Sequence, residues 1–116
     1  MSILAYQDGG AFAPARIVAR LMTTQTEIAA TLGLGRDAIA RKDRVRSAKT
    51  QRRLREMVEI VNRVEPRFGS AMIAYAWYRS EPLAGFAGQT AMALVREGRA
   101  GDVLDYIDAV DAGVHA

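Results

Sequence analysis

The sequence contains no cysteine and only one histidine, His115. The missing cysteines exclude structural disulfides, thiolate zinc sites and cysteine nucleophiles. Neither a second histidine nor a convincingly spaced pair of carboxylates accompanies His115, so the residues do not assemble an acid–base or metal site. We therefore predict a protein that is not an enzyme and that uses no cofactor and no metal.

Long apolar runs are also missing from the sequence. No stretch of about 18 apolar residues is present to span a membrane. The first 14 residues lack the basic flank and apolar stretch of a signal peptide. We therefore expect a cytoplasmic protein without a membrane partner. At 116 residues, half of them hydrophobic, the chain is long enough to fold around a core without cross-links.

Alternating strand patterns do not occur, whereas helical spacing of apolar residues recurs along the chain. The sequence predicts an all-α fold: a helical bundle with an N-terminal helix-turn-helix and a C-terminal helical lobe. Residues 1–13 are expected to be a flexible arm, 14–49 the helix-turn-helix part that binds DNA, and 50–116 a second helical part that forms a dimer.

The strongest helical pattern runs from Thr50 to Glu65, and Pro66 is expected to end that helix. Its apolar face is predicted to form core and a dimer interface; the residues are Leu54, Met57, Val58, Val61 and Val64. A following helix, capped by Ser70, is expected to bury an apolar stripe made of Met72, Ile73, Ala76 and Trp77.

Charge is distributed unevenly. Between Arg36 and Arg55 nine basic residues face two acidic ones, a net charge of +7, whereas from Glu97 to the end five acidic residues face Arg99, a net charge of −4. This asymmetry indicates different partners for the two regions. Asp111 lies near the C-terminus of its predicted helix and opposes the helix dipole, which favours a basic partner surface for the acidic helix. A solvated acidic face, or intramolecular pairing with the basic segment, also accounts for the series.

Residues 25–41 have the spacing of a helix-turn-helix. Thr24 and Glu27 form a predicted N-terminal capping box. Ala29 lies four residues before Gly33, which suits the positive φ of a tight turn. A short recognition helix then presents Arg36 and Arg41, and the basic residues that continue the segment suit DNA phosphates. The predicted DNA-binding residues are Arg36, Arg41, Lys42, Arg44, Arg46 and Lys49.

The order of these parts resembles the Xre/MbcA/ParS family of bacterial antitoxins, over nearly everything after Pro14. The resemblance is most specific in the C-terminal toxin-binding domain: Trp77, the loop from Leu83 to Gly88, the turn "LVREG" at 94–98, and the helix "VLDYID" followed by Gly113 and Val114. Two positions depart from the family's usual pattern. Leu83 follows Pro82 where asparagine is usual, and Thr90-Ala91 open the next helix where a proline is usual.

The resemblance implies a dimeric, all-helical antitoxin that neutralises a RES-domain toxin, a toxin that degrades NAD or uses it to ADP-ribosylate a protein. It also implies binding to its own operator DNA as a hetero-oligomeric complex, and it makes residues 50–116 the part for dimerisation and toxin binding. The acidic helix and apolar tail would then occlude a basic NAD cleft. The toxin-binding residues it suggests are Trp77, Leu83, Phe86, Asp102, Asp105, Tyr106, Asp108, Gly113, Val114 and His115. The alternative is a helix-turn-helix regulator without a toxin partner.

Overall fold

The computed structural model describes residues 2–113, which form a short 3-10 turn (Ile3–Tyr6), a two-stranded hairpin and a series of helices. The strands are β1 (Gln7–Asp8) and β2 (Ala11–Phe12). The helices are α1 (Pro14–Leu21), α2 (Gln25–Leu32), α3 (Arg36–Ala40), α4 (Lys42–Val45), α5 (Ala48–Phe68), α6 (Ala71–Ser80), α7 (Ala91–Arg96) and α8 (Ala100–Gly113). The all-α prediction is confirmed, with the hairpin as the one small β element among the described residues.

The N-terminal residues do not form the expected flexible arm. Gly9 and Gly10 both have positive φ and close the hairpin, as a two-residue turn between antiparallel strands favours. Tyr6 is fully buried and Phe12 nearly so. The Gln51 side chain of α5 accepts a hydrogen bond from the Phe12 backbone nitrogen at 2.8 Å and donates one to the Phe12 carbonyl at 3.1 Å. Two aromatic side chains and one glutamine therefore anchor this segment, which composition alone did not reveal.

Helix α5 is longer than predicted and forms the centre of the molecule. It begins after Ser47, whose hydroxyl accepts a hydrogen bond from the Thr50 backbone nitrogen, and continues through Pro66 to Phe68. Proline's fixed φ is compatible with a helix and costs one hydrogen bond, so near a helix end it is tolerated. The helix ends instead at Gly69, whose φ is 72°, the usual left-handed ending.

Helix α6 begins at Ser70 as predicted, but the predicted apolar stripe was wrong. The buried residues are Ala71, Ala74, Tyr75 and Tyr78, whereas Met72 and Ile73 are 44% and 46% exposed. Burying the two tyrosines removes more apolar surface from water. The Tyr75 hydroxyl also has a partner, the hydroxyl of Thr31 in α2, at 2.9 Å. Burial raises the pKa of both tyrosines.

A single hydrophobic core joins the predicted arm, the predicted DNA-binding part and the C-terminal lobe. It includes Tyr6, Ile28 of α2 and Ile107 of α8. The predicted stripe of α5 is confirmed as core: Leu54, Met57, Val58, Val61 and Val64 are all fully buried within one chain. That stripe therefore offers no surface for a dimer. None of the described helices is both long and apolar enough to cross a membrane.

Candidate functional site

Helices α2 and α3 are joined by a tight turn at Gly33–Gly35. The Thr24 hydroxyl accepts a hydrogen bond from the Glu27 backbone nitrogen at 3.1 Å, which is half of the predicted capping box. The Glu27 carboxylate instead contacts the Thr23 hydroxyl and the Arg79 guanidinium. Gly33 has a φ of 68°, the left-handed conformation that its position in the turn predicted.

Small and apolar side chains hold α3 onto α2. Ala29 and Ile39 are each 2% exposed, and Leu34 is partly buried against the core. Helix α3 is only five residues long, and its N-cap residue, Gly35, has no side chain to cap it. The predicted pair of helices with a glycine turn is therefore present. Its use in reading DNA belongs to the proposal below.

All six predicted DNA-binding side chains lie on the surface. Arg41 approaches Asp43 at 3.5 Å. The other five, Arg36, Lys42, Arg44, Arg46 and Lys49, form no hydrogen bond or ion pair within residues 2–113. Arg52, which we did not select from the sequence, is equally exposed and equally without a partner in the described chain. The basic segment therefore presents a group of uncompensated positive charges.

The N-terminal hairpin adjoins this basic surface. An open cleft of about 290 Å³ lies between the hairpin and α4, with Lys42, Val45 and Arg46 on one side. A second cleft, of about 350 Å³, lies between the hairpin and the start of α5, with Gln51, Arg52 and Arg55 on its wall. Only the fold brings these residues together, so no local pattern in the sequence could have found the clefts.

The loop between α6 and α7 is held from both sides. The Leu83 backbone nitrogen donates a hydrogen bond to the Gln89 carbonyl at 2.9 Å, and Thr90 caps α7 through its hydroxyl, which replaces the usual proline. Leu83 itself is only 3% exposed. Its side chain is part of the core, so the expectation that it contacts a partner directly is corrected: Leu83 anchors the loop.

Phe86 and Tyr106, both among the residues expected to bind the toxin, contact each other. Their rings meet edge to face with centroids 5.8 Å apart, and the guanidinium of Arg99 lies 5.5 Å from the Phe86 ring centre. Both aromatic residues are half-buried. Trp77 makes a different contact: its ring packs against that of Phe68 of α5, with ring centroids 6.4 Å apart. An amphipathic aromatic pair beside an exposed glycine-containing loop is the kind of surface that anchors a protein partner.

The acidic residues of α8 are mostly neutralised within the chain. Asp102 pairs with Arg99 at 2.8 Å and Asp108 with Arg63 of α5 at 2.6 Å, and Asp111 contacts Arg67. The Arg67 guanidinium also lies 3.4 Å from the Ile107 carbonyl. Arg67 therefore offsets the unfavourable position of Asp111 at the helix C-terminus.

Asp105 differs from the other three. It is exposed and has no partner among residues 2–113. Most of the acidic series is thus explained by intramolecular pairing, and Asp105 alone remains available to a partner. Gly113, which we also predicted to contact a partner, is the exposed last residue of α8, while Val114 and His115 lie outside the described residues.

Within residues 2–113, no group of three or more potential ligand residues is arranged to hold a metal ion. The described chain therefore presents two candidate binding surfaces. One is the basic segment with its unpaired cations, and the other is the Phe86–Tyr106 pair with the unpaired Asp105.

Comparison with known proteins finds a match over the C-terminal part of the chain. Residues 63–113 match the family described as the antitoxin Xre/MbcA/ParS C-terminal toxin-binding domain. No curated protein and no solved structure gives a significant match. The matched segment begins inside α5 and ends with α8, and it contains Trp77, the 83–88 loop and all four acids of α8. The match confirms the resemblance seen in the sequence. Residues 63–113 are therefore similar to the C-terminal toxin-binding domain of the Xre/MbcA/ParS antitoxins.

Proposed function

We propose that this protein is the antitoxin of a toxin–antitoxin pair, that its toxin is of the RES-domain type acting on NAD, and that it represses its own operon by binding DNA. The antitoxin role is carried by one observation, the match of residues 63–113 to a toxin-binding domain. The RES type and the NAD chemistry follow from the family resemblance. The protein acts by binding and performs no catalysis of its own.

The toxin-binding surface we propose is centred on Phe86, Tyr106 and Asp105. Its apolar part is the edge-to-face aromatic pair, which requires little ordering on binding because each ring is already held by its neighbour. Asp105 contributes the negative charge that steers association with a basic cleft. Trp77, Asp102 and Asp108 lie in the same domain, but their side chains already have partners within it.

Occlusion is the proposed mode of inhibition. An NAD cleft must hold phosphates and is therefore expected to be basic, so the end of α8 and the residues that follow Gly113 are suited to enter or cover it. This requires no chemistry from the antitoxin.

The test is NAD consumption by the toxin encoded in the neighbouring reading frame, with and without this protein. Full-length protein should co-purify with the toxin and abolish NAD loss. A chain that ends at Gly113 should still associate, because it retains the whole segment that matches the toxin-binding domain, but it should inhibit less. Equal inhibition by both chains would contradict insertion of the tail and leave the α8 surface as the inhibitor.

DNA binding is supported by the unpaired basic side chains beside the α2–α3 turn. Half or more of protein–DNA hydrogen bonds go to phosphates, and six free cations between residues 36 and 52 match that requirement. A homodimer within the toxin complex and a cytoplasmic location complete the proposal. Because the α5 stripe is buried in the core, the large exposed apolar side chains that residues 2–113 offer to a second copy are Leu4, Met22, Met72 and Ile73.

The competing function is a regulator that binds DNA and has no toxin. Co-purification separates the two, because the antitoxin should bring down a second, toxic polypeptide. Operator binding by a chain that captures no neighbour-encoded protein would favour the regulator.

A further inference from the structure

Two arginines from later in the chain donate hydrogen bonds to the last carbonyl groups of α2. The Arg96 Nε donates to the Thr31 carbonyl at 3.0 Å, and its Nη2 donates to the Ala30 carbonyl. The Arg53 Nη1 donates to the Leu32 carbonyl at 3.1 Å. Carbonyls in the last turn of a helix have no partner within the helix, and cationic side chains there also complement its dipole. Three successive carbonyls before the turn are therefore held by side chains.

Arg96 also covers the turn itself. A Cβ atom placed on Gly33 would lie 3.4 Å from the Arg96 Cγ and 3.5 Å from its Cδ. The aliphatic part of Arg96 thus packs against the residue whose left-handed backbone redirects the chain from α2 to α3. One side chain both binds the end of α2 and limits the space in which the turn moves.

The backbone position of Arg96 is held by neighbouring contacts. Arg96 ends α7, and Glu97 next to it accepts hydrogen bonds from the Gln89 side chain at 3.0 and 3.1 Å. Gln89 in turn closes the loop that carries Phe86. Arg96 therefore lies in the segment that matches the toxin-binding domain, while its side chain contacts the α2–α3 turn.

We propose that Arg96 is the positioning residue for α3: it fixes the α2–α3 turn and thereby the direction in which Arg36 and Arg41 face DNA. The role in DNA binding rests on the proposed function, whereas the fixing of the turn does not. In this arrangement the toxin-binding domain supplies part of the DNA-binding geometry, and the two halves of the chain do not work as separable modules.

The experiment compares Arg96→Gln and Arg96→Lys with a matched control, Arg79→Gln. Arg79 also belongs to the toxin-binding domain and also ties it to α2, but it contacts Glu27 in the first turn of that helix. Hydrogen exchange is measured at the Gly33 and Leu34 amides, both of which are bonded to carbonyls of α2. Operator affinity, toxin capture and the melting temperature are measured on the same proteins.

Arg96→Gln should accelerate exchange at Gly33 and Leu34 by about tenfold and weaken operator binding by a similar factor, since charge-assisted hydrogen bonds are lost. Toxin capture should not change. Arg96→Lys keeps the charge and part of the aliphatic stem but loses the forked donor geometry. Its exchange rates at Gly33 and Leu34 and its operator affinity should therefore lie between those of wild type and Arg96→Gln. Arg79→Gln should leave exchange at the turn unchanged.

Unchanged exchange at Gly33 and Leu34 in Arg96→Gln would overturn the proposal. So would an equal acceleration at core amides such as that of Ile60, because it would mean a general loss of stability. Faster exchange at the turn with unchanged operator affinity would overturn the positioning of α3. If the wild-type chain and its toxin complex bind no operator, the proposed DNA function fails, and exchange alone decides whether Arg96 fixes the turn.

Discussion

The basic segment, residues 36–55, and the acidic helix α8 carry opposite charges, and the fold uses them in opposite ways. Six of the nine basic side chains in the segment have no partner within residues 2–113. In α8, three of the four aspartates are paired with arginines of the same chain, and only Asp105 is not. The number of charges in a segment therefore does not show how many are available to a partner.

The difference has a physical cause. Clustered like charges raise the energy of the folded chain unless a partner of opposite sign compensates them, so a free cationic cluster is expected where a polyanion binds. Asp108 and Asp111 of α8 instead help to fix the helix to α5, through Arg63 and Arg67. What α8 offers to a partner is mainly the aromatic side chain of Tyr106, with Asp105 beside it in sequence.

The largest effect should follow from removing charge at the proposed recognition helix. Arg36→Ala combined with Arg41→Ala should weaken operator binding by about 2 kcal/mol or more, since each base-contacting arginine contributes about 1–3 kcal/mol. The measurement is a fluorescence anisotropy titration with the promoter fragment, for the free protein and its toxin complex. Arg16→Ala, an exposed arginine on α1, is the control. An affinity of the double variant within twofold of wild type would show that α3 does not contact the operator.

A smaller effect is expected on stability: removing a paired charge should lower the free energy of unfolding more than removing an unpaired one. Arg67→Gln removes a side chain that contacts Asp111 and the Ile107 carbonyl, so the free energy of unfolding should fall by about 1 kcal/mol. Arg46→Gln removes a charge without a partner and should change it by less than about 0.5 kcal/mol. Urea unfolding monitored by circular dichroism measures both. Equal losses in the two variants would remove the distinction between the two regions.

Local signals in the sequence predicted where α2 begins and ends and where α6 begins. Ser70, Thr24 and Gly33 act at the positions and in the conformations expected of helix caps and turns, because these features depend on a few neighbouring residues. The Xre/MbcA/ParS resemblance was likewise confirmed over residues 63–113. The faces of helices were harder to predict, since α6 has two candidate apolar stripes and only packing against α5 and α2 selects the one with Tyr75 and Tyr78.

Long-range pairings could not be predicted at all. Arg63 with Asp108 and Arg96 with the end of α2 join residues 45 and 65 positions apart, so no spacing rule indicates them. Leu83 was named as a toxin-binding residue through the family resemblance, whereas its side chain is buried. A partner surface was favoured for the acidic series because Asp111 opposes the helix dipole, whereas the arginines that pair with Asp108 and Asp111 lie far away in sequence, in α5.

Asp105→Lys tests the one acid of α8 that remains free. Association with the toxin should slow by about tenfold at low salt, because rim charges act mainly on the rate of encounter, and the difference should shrink as salt screens it. Surface plasmon resonance at two salt concentrations gives the rate. Asp108→Asn, which loses an acid that is already paired with Arg63, should alter the association rate much less. Equal effects of both substitutions would mean that the pairing within α8 does not decide which acids a partner meets.

The smallest expected effect concerns a single phosphate contact. Lys49 is exposed near the start of α5 and has no partner in the described part of the chain, so Lys49→Gln should leave stability unchanged. If Lys49 meets a phosphate, the variant binds every DNA sequence more weakly, and the slope of log affinity against log salt becomes shallower by about one unit. Titrations at four salt concentrations, with operator and unrelated DNA of equal length, measure that slope. A loss confined to the operator would assign Lys49 to base reading. An unchanged slope on both DNAs would mean that Lys49 does not contact a phosphate. The same titrations with Arg46→Gln and Arg52→Gln would then test the basic side chains beside the two clefts of the N-terminal hairpin.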